Sequence, residues 1–224
     1  MPLALTLPSS AGVCMLLMVS NLLLWEHVAS KPSGFVSTED LYYRGVDQSH
    51  ATYFLAADLY HEFDLKYFNS SWIKYRTLSP CHTASIHTPQ SREEAHETKT
   101  EDLLKTMINI SHAWEEPLKH LISAVSNLPG ASDKMLKRAN AVRNRTRVLQ
   151  EGMKIILSRS QKKVEKDPYP AWSGLADLQS PDEDTRLFNL YNLVRCLRRD
   201  THKIDAYFKL LRCREVFKNE CFTE

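Results

Sequence analysis

The stretch "NLPGAS", residues 127–132, decides how the helices of this chain are connected. It lies between two segments whose apolar residues recur every three or four positions, which is the pattern of amphipathic helices. A connection of this length joins only antiparallel neighbours, because it cannot run back along a helix of about 30 residues, which is ~45 Å long. The sequence therefore predicts a pair of antiparallel helices over residues 98–165.

Four amphipathic segments of similar length make up most of the chain after residue 36. Glycine is scarce, with 6 residues in 224, and no alternating strand pattern is apparent, so we expect an all-α fold. Pro117 lies inside the second segment and should kink that helix. The predicted helices span residues 37–67, 98–128, 132–165 and 181–211. Their apolar stripes, which predict the core, include Leu41, Val46, Ala56, Leu59, Tyr60, Phe63, Leu103, Met107, Ile110, Trp114, Leu118, Leu121, Val125, Leu128, Met135, Ala139, Val142, Leu149, Met153, Ile156, Leu187, Leu190, Val194, Leu197, Ile204, Phe208 and Leu211.

The two other connections, residues 68–97 and 166–180, are long enough to cross the bundle. A long, short, long order of connections is that of an up-up-down-down four-helix bundle of the long-chain cytokine type, with two long crossover loops. We predict one domain of this architecture over residues 31–224.

The first 30 residues have the pattern of a secretory signal peptide. An uncharged apolar run, "VCMLLMVSNLLLW" (residues 13–25), is followed by the small residues Ala29 and Ser30. Cleavage removes one acid, Glu26, and no Lys or Arg, so the formal net charge rises from +2 to +3. This nearly balanced charge argues against nucleic acid as a main partner, and no other stretch is apolar enough for membrane insertion. We expect a secreted, extracellular protein.

Four cysteines remain after cleavage: Cys81, Cys196, Cys213 and Cys221. An even count in an oxidising compartment predicts two disulfides, for which three pairings exist. Cys213 and Cys221 are near enough in sequence to close a small loop, and Cys81 and Cys196 would then form a long-range bridge. The competing interpretation is a cysteine-based metal site, but the chain has no CxxC pair.

Three N-x-S/T sequons, at Asn69, Asn109 and Asn144, mark candidate glycosylation sites, and a site that is used should face solvent. The sequence has no HExxH, no G-x-S-x-G and no glycine-rich phosphate-binding motif. We therefore expect a protein without enzymatic activity, metal or cofactor.

Several longer stretches together resemble the prolactin family, and they cover nearly the whole chain after residue 28. The likeness is greatest to rodent placental lactogens, and the lack of an N-terminal cysteine pair before Cys81 also fits a placental member. The stretches are "ASKP" (29–32), "VSTEDLY" (36–42), "CHTASIHTP" (81–89), "TEDLLK" (100–105), "EEPLKHLISAV" (115–125), "LPGAS" (128–132), "YPAWSGL" (169–175) and "YNLVRCLRRDTHKIDAYFKLLRCR" (191–214).

The resemblance implies a secreted hormone that binds two copies of the prolactin receptor, a class I cytokine receptor, through two different faces. Bringing the receptors together would activate kinases attached to them inside the cell. The stretch "LRRDTHKIDAY" (197–207) is similar to the family's first, high-affinity face, and we expect its polar residues to lie largely off the core stripe. The residues that the resemblance assigns to this first surface are His50, Arg198, Arg199, His202, Lys203, Asp205 and Tyr207.

Related hormones can bind zinc together with a receptor, through two histidines of the first helix and an acid of the fourth. Here the second histidine position is Tyr53, so only His50 and Asp205 remain. Two ligands are too few for zinc, and we expect no zinc-bridged complex. His50 and His202 remain candidates for a pH-sensitive contact, because histidine titrates near neutral pH.

The stretch "LQEGM" (149–153) resembles the family's second receptor-binding face. Gly152 interrupts a helix at a cost of roughly 1 kcal/mol relative to alanine, and it lies beside the core stripe rather than in it. The resemblance implies that this glycine opens a shallow cleft between the first and third helices, in which a receptor side chain lies flat. We assign Gly152 to the second surface.

An alternative function rests on six basic residues in "DKMLKRANAVRNRTR" (133–147). Such a run can bind a glycosaminoglycan, so the competing hypothesis is a secreted prolactin-like protein without prolactin-receptor activity that acts through such a partner. A solvated helix face is the simpler interpretation, and a glycan on Asn144 would cover part of the run.

Overall fold

The computed structural model describes residues 36–160 and 171–220, and all regular elements in these two ranges are helical. The predicted signal peptide, the predicted end of the third helix beyond Ser160, and Cys221 lie outside the described residues. Four long helical units correspond to the four predicted helices, so the all-α prediction is confirmed. The helices of the described ranges are α1 (Thr38–Tyr67), α2 (Ser70–Tyr75), α3 (Arg92–Glu97), α4 (Thr100–Ala113), α5 (Glu115–Ser126), α6 (Asp133–Arg159), α7 (Leu175–Leu178) and α8 (Glu183–Glu215).

The short connection between α5 and α6 has local features that end one helix and begin the next. Gly130 adopts a φ of 74°, a left-handed conformation that glycine tolerates without strain. Ser132 then caps α6, because its Oγ accepts a hydrogen bond from the backbone N–H of Met135 at 3.2 Å. These two residues stand inside the "NLPGAS" stretch and explain why it forms a tight turn.

Side-chain contacts between the long helices establish their directions. The start of α1 lies beside the end of α6, and the start of α4 lies beside the end of α8. Thus α1 and the α4–α5 unit run one way while α6 and α8 run the other, which is the predicted up-up-down-down bundle. The contacts are Ser49–Asp205 (3.3 Å) and Tyr60–Tyr191 (2.9 Å) between α1 and α8, Thr38–Arg159 (2.9 Å) and Gln48–Arg145 (2.5 Å) between α1 and α6, Glu115–Gln150 (3.0 Å) between α5 and α6, and Thr100–Arg214 (3.3 Å) between α4 and α8.

The second predicted helix is broken at Trp114 and not merely kinked at Pro117. Pro117 becomes the third residue of α5, where a missing backbone N–H costs little. In a continuous helix the proline ring would collide with the carbonyl group of Ala113, four residues earlier. That carbonyl instead accepts a hydrogen bond from His82 Nε2 at 3.1 Å. The break therefore also anchors the connection between α1 and α4, residues 68–99, which we call the first crossover.

The predicted core positions are buried, with four exceptions. Leu41, Tyr60, Leu128 and Leu187 are half-buried, and every other predicted core residue is at most 6 % exposed. The apolar stripes therefore face one another inside the bundle. No helix within residues 36–160 and 171–220 is both long enough and apolar enough to cross a membrane.

One predicted disulfide is confirmed, between Cys81 of the first crossover and Cys196 of α8. The two cysteines are 115 residues apart in sequence, so the bond closes a long loop. Cys213 is also disulfide-bonded. Because Cys221 lies outside the described residues, its pairing with Cys213 stays a prediction.

Removal of the Cys81–Cys196 bond should destabilise the bundle. A disulfide reduces the conformational entropy of the unfolded chain, and bonds of this kind contribute about 2–4 kcal/mol. We expect the double variant Cys81→Ser/Cys196→Ser to lose about this free energy of unfolding in a urea titration followed by circular dichroism. An unchanged free energy of unfolding would show that packing and hydrogen bonds hold the first crossover against α8 without the disulfide.

Candidate functional site

The residues predicted for the first surface lie together on α8 and on the facing part of α1. Their exposure differs more than the sequence indicated, because the first crossover covers part of this side of α8. His50, Arg198 and His202 are exposed, Arg199 and Lys203 are half-buried, and Asp205 and Tyr207 are buried. The expectation that these polar residues lie off the core stripe is therefore wrong for Asp205 and Tyr207.

Asp205 connects α8 to α1 at the centre of this surface. Its carboxylate accepts hydrogen bonds from Ser49 Oγ at 3.3 Å and from Lys209 Nζ at 2.7 Å. His50 Nδ1 lies 3.4 Å from the same carboxylate and 3.2 Å from Lys209 Nζ. His50 Nδ1 therefore lies between a group that can only donate, the Lys209 ammonium, and one that can only accept, the Asp205 carboxylate. Asp205 thus acts as a buried anchor that positions His50 and Lys209 at the surface.

The same arrangement does not suit a zinc ion. The ammonium group of Lys209 lies against the Asp205 carboxylate that a metal ion would need. Tyr53, at the second histidine position, packs its ring against that of His202, with centroids 4.9 Å apart. Within the described ranges, no three or more His, Cys, Asp or Glu side chains are grouped so that they could hold a metal ion. His50 and Asp205 offer only two of the four ligands that a zinc site typically uses, and the absence of a zinc-bridged complex stays a prediction.

Lys203 and Tyr207 attach the first crossover to α8. Lys203 Nζ donates a hydrogen bond to Thr88 Oγ1 at 2.7 Å, and the Tyr207 hydroxyl donates to the carbonyl oxygen of Pro89 at 3.4 Å. Burial lowers the pKa of Lys203, and the nearby charge of Arg199 lowers it further. Burial also raises the pKa of Tyr207. Both side chains shape the first surface by fixing the segment that covers it.

Asp200 is a buried carboxylate that links three parts of the chain. Its Oδ2 accepts hydrogen bonds from Thr83 Oγ1 at 2.6 Å and from Trp114 Nε1 at 2.9 Å. Its Oδ1 accepts from Arg199 Nε at 2.8 Å. This one side chain therefore joins the first crossover, the break between α4 and α5, and α8. We did not predict this burial, because Asp200 stands among charged residues typical of a solvated helix face, although its spacing from Leu197 and Ile204 puts it beside the core stripe.

Aromatic side chains give the first surface an exposed apolar part. Phe54 of α1 is 52 % exposed, and its ring contacts those of His50 and Tyr53. The guanidinium group of Arg198 lies 5.3 Å from the centre of the Tyr60 ring. We missed Phe54 from the sequence, although an aromatic residue outside the apolar stripe of a helix is a usable signal. Exposed aromatic and arginine side chains are enriched in protein interfaces.

The second predicted surface lies on α6 around Gly152. A Cβ atom at Gly152 would have no neighbouring atom within 4 Å. Val148 and Ile155, one turn before and one turn after it, are 53 % and 45 % exposed. These three residues, which we call the Gly152 patch, form an open apolar area on a helix that is otherwise polar outside its core stripe.

Two of the three sequons lie on the surface. Asn69 and Asn144 are exposed, whereas Asn109 is half-buried on α4. Asn69 also caps α2, since its side chain accepts a hydrogen bond from the backbone N–H of Ser71 at 3.0 Å. Asn144 stands in the middle of α6, on the side that carries Val148.

Part of the basic run on α6 serves helix packing. Arg138 forms ion pairs with Asp58 and Glu62 of α1, and Arg145 donates a hydrogen bond to Gln48. These two arginines are therefore directed at α1 and are not presented together with the other four cations. This division of the run weakens the glycosaminoglycan hypothesis.

Comparison with known proteins shows the family to which this chain belongs. The profile of the somatotropin hormone family matches residues 17–221. Similar proteins along the full length include Prolactin-3D1 of Mus musculus at 60 % identity, Prolactin-3D4 of Rattus norvegicus at 59 % and Prolactin-3B1 of Mesocricetus auratus at 48 %. Each match covers 99 % of this chain and 100 % of the relative. The chain therefore belongs to the somatotropin hormone family, and within that family to its prolactin group.

Proposed function

We propose that this chain is a placental-lactogen-like hormone that is secreted by means of the signal peptide at residues 1–30 and brings two prolactin receptor chains together. The first receptor binds the exposed part of the first surface, around Phe54, Arg198 and His202. The second receptor binds the Gly152 patch. The hormone performs no chemistry, and the signal comes from kinases that the paired receptors carry inside the cell.

The main support for this proposal is the position of the two surfaces on opposite sides of α1. The first surface lies where α1 meets α8, and the Gly152 patch lies where α1 meets α6. Gly152 is midway between Arg145 and Arg159, which contact Gln48 and Thr38, so the part of α1 beside it is residues 38–48. Two surfaces separated in this way can hold two receptors without competition between them.

The test of this function is the growth of cells that depend on the prolactin receptor. We expect growth that increases with hormone concentration, and a complex of one hormone with two receptor ectodomains in analytical ultracentrifugation. No growth at any concentration, together with no 1:2 complex, would overturn the proposal.

Arg198→Ala should weaken binding of the first receptor. Arginine residues near the centre of an interface often contribute 2 kcal/mol or more, which corresponds to a roughly 30-fold loss of affinity. Arg198 is exposed, so we expect the free energy of unfolding to change by less than about 0.5 kcal/mol. The affinity for one immobilised receptor ectodomain measures the effect. Arg143→Ala, which removes an exposed cation from α6, is the matched control and should bind normally.

A further inference from the structure

Asn144 and the exposed members of the Gly152 patch share one ridge of α6. With 3.6 residues per turn, Val148 and Ile155 lie within ~40° of Asn144 around the helix axis. Gly152 itself is displaced from Asn144 by ~80° around the helix axis and by ~12 Å along it. The carboxamide that would carry a glycan is therefore close to the surface assigned to the second receptor.

A receptor domain bound to the Gly152 patch would extend over Asn144. A typical interface buries ~800 Å² on each partner, which is a disc of ~16 Å radius. A disc of this size centred on Gly152 includes Asn144. The other exposed sequon is remote, because Asn69 lies beyond the end of α1, about 30 Å from the residues 38–48 that stand beside Gly152.

We propose that a glycan on Asn144 limits binding of the second receptor, an inference that rests on the function proposed above. An N-linked glycan is bulky and strongly hydrated, and the exposed Asn144 can carry one without disturbing the bundle. A receptor that approaches the Gly152 patch must displace the glycan and restrict its motion, which costs conformational entropy. The first surface is on the other side of α1, so the first receptor binds as before. Occupancy of this single sequon therefore sets how strongly the hormone signals.

The experiment compares glycosylated hormone from mammalian cells with two variants, Asn144→Gln and Asn69→Gln. Mass spectrometry of glycopeptides measures the occupancy of each sequon. The affinity for one immobilised receptor ectodomain reports binding of the first receptor, and growth of receptor-dependent cells reports binding of both receptors. We expect Asn144→Gln to reach half-maximal growth at a roughly tenfold lower concentration than hormone with an occupied Asn144, with an unchanged first-receptor affinity. Asn69→Gln, the matched control, should behave like the unmodified hormone.

Three results would overturn this inference while leaving the receptor function intact. They are an unoccupied Asn144, equal growth responses with and without its glycan, and a glycan effect of equal size on first-receptor affinity. A different result, in which the Asn144→Gln hormone binds no second receptor and stimulates no growth, would overturn the proposed function itself.

Discussion

Gly152→Arg should yield a hormone that binds one receptor and does not signal. The arginine side chain would fill the open space between Val148 and Ile155 and take the place of a receptor side chain. Apart from the adjacent residues and the backbone of its own helix, no atom lies within 4 Å of the position of its Cβ, so the bundle need not rearrange. We expect an unchanged affinity for the first receptor and a loss of potency of about 100-fold or more in receptor-dependent growth, since the centre of an interface carries most of its energy. In excess, the variant should inhibit the unmodified hormone.

The matched control is Gly152→Ala, which adds a single methyl group to the same position. Alanine is favoured over glycine in a helix by roughly 1 kcal/mol, so this variant should unfold at a slightly higher urea concentration and keep most of its activity. Gly152→Arg should likewise be no less stable than the unmodified hormone, because arginine is a good helix former. Full growth with Gly152→Arg would show that the glycine has no part in receptor binding.

The helices and their topology could be predicted because the information is local. Apolar periodicity fixed the four helical segments, and the lengths of the connections fixed their directions. The break at Trp114 could not be predicted in the same way. Whether a proline kinks or breaks a helix depends on what satisfies the freed carbonyl, here that of Ala113, and its partner His82 comes from a distant part of the chain.

The two glycines within the long helices show what the sequence could not distinguish. Gly45 and Gly152 both interrupt amphipathic segments and look alike in the sequence. A Cβ atom at Gly45 would lie 2.3 Å from the ring of Phe208, so this glycine permits close packing of α1 against α8. At Gly152 the same atom would meet open space. Only the contacts of the folded bundle separate a packing glycine from an exposed one, and the role assigned to Gly152 came from the family resemblance.

Burial of polar residues was the other gap in the sequence-based prediction. Asp200 and Asp205 lie in a dense run of charges, which is typical of a solvated helix face, although each is three residues from a core position of α8, Leu197 or Phe208. The first crossover changes this outcome, because Thr83 donates a hydrogen bond to Asp200 and residues 88–89 accept bonds from the same face of α8. A pattern within one helix carries no information about a segment that packs over it.

Asp200→Ala should cause the largest loss of stability among single substitutions of the charged residues on α8. Asp200 is 1 % exposed, and its removal leaves the buried N–H of Trp114 and the buried hydroxyl of Thr83 without their acceptor. Loss of one partner from such a buried charged network costs about 3–5 kcal/mol, a large part of the 5–15 kcal/mol that typically stabilises a folded domain. A urea titration followed by circular dichroism should show a loss of this size. We expect first-receptor affinity to fall as well, because the crossover beside the first surface loses its anchor.

Two further variants distinguish a buried network from a general effect of charge. Asp200→Asn keeps an acceptor oxygen for Trp114 or Thr83 but removes the negative charge beside Arg199. This variant should therefore lose less free energy of unfolding than Asp200→Ala. Asp47→Ala removes an exposed carboxylate from α1 and should change the free energy of unfolding by less than about 0.5 kcal/mol. If Asp200→Ala proved as mild as Asp47→Ala, Asp200 would be part of a solvated helix face after all. The first crossover would then be held by the Cys81–Cys196 bond and by its other contacts, among them those of His82, Lys203 and Tyr207.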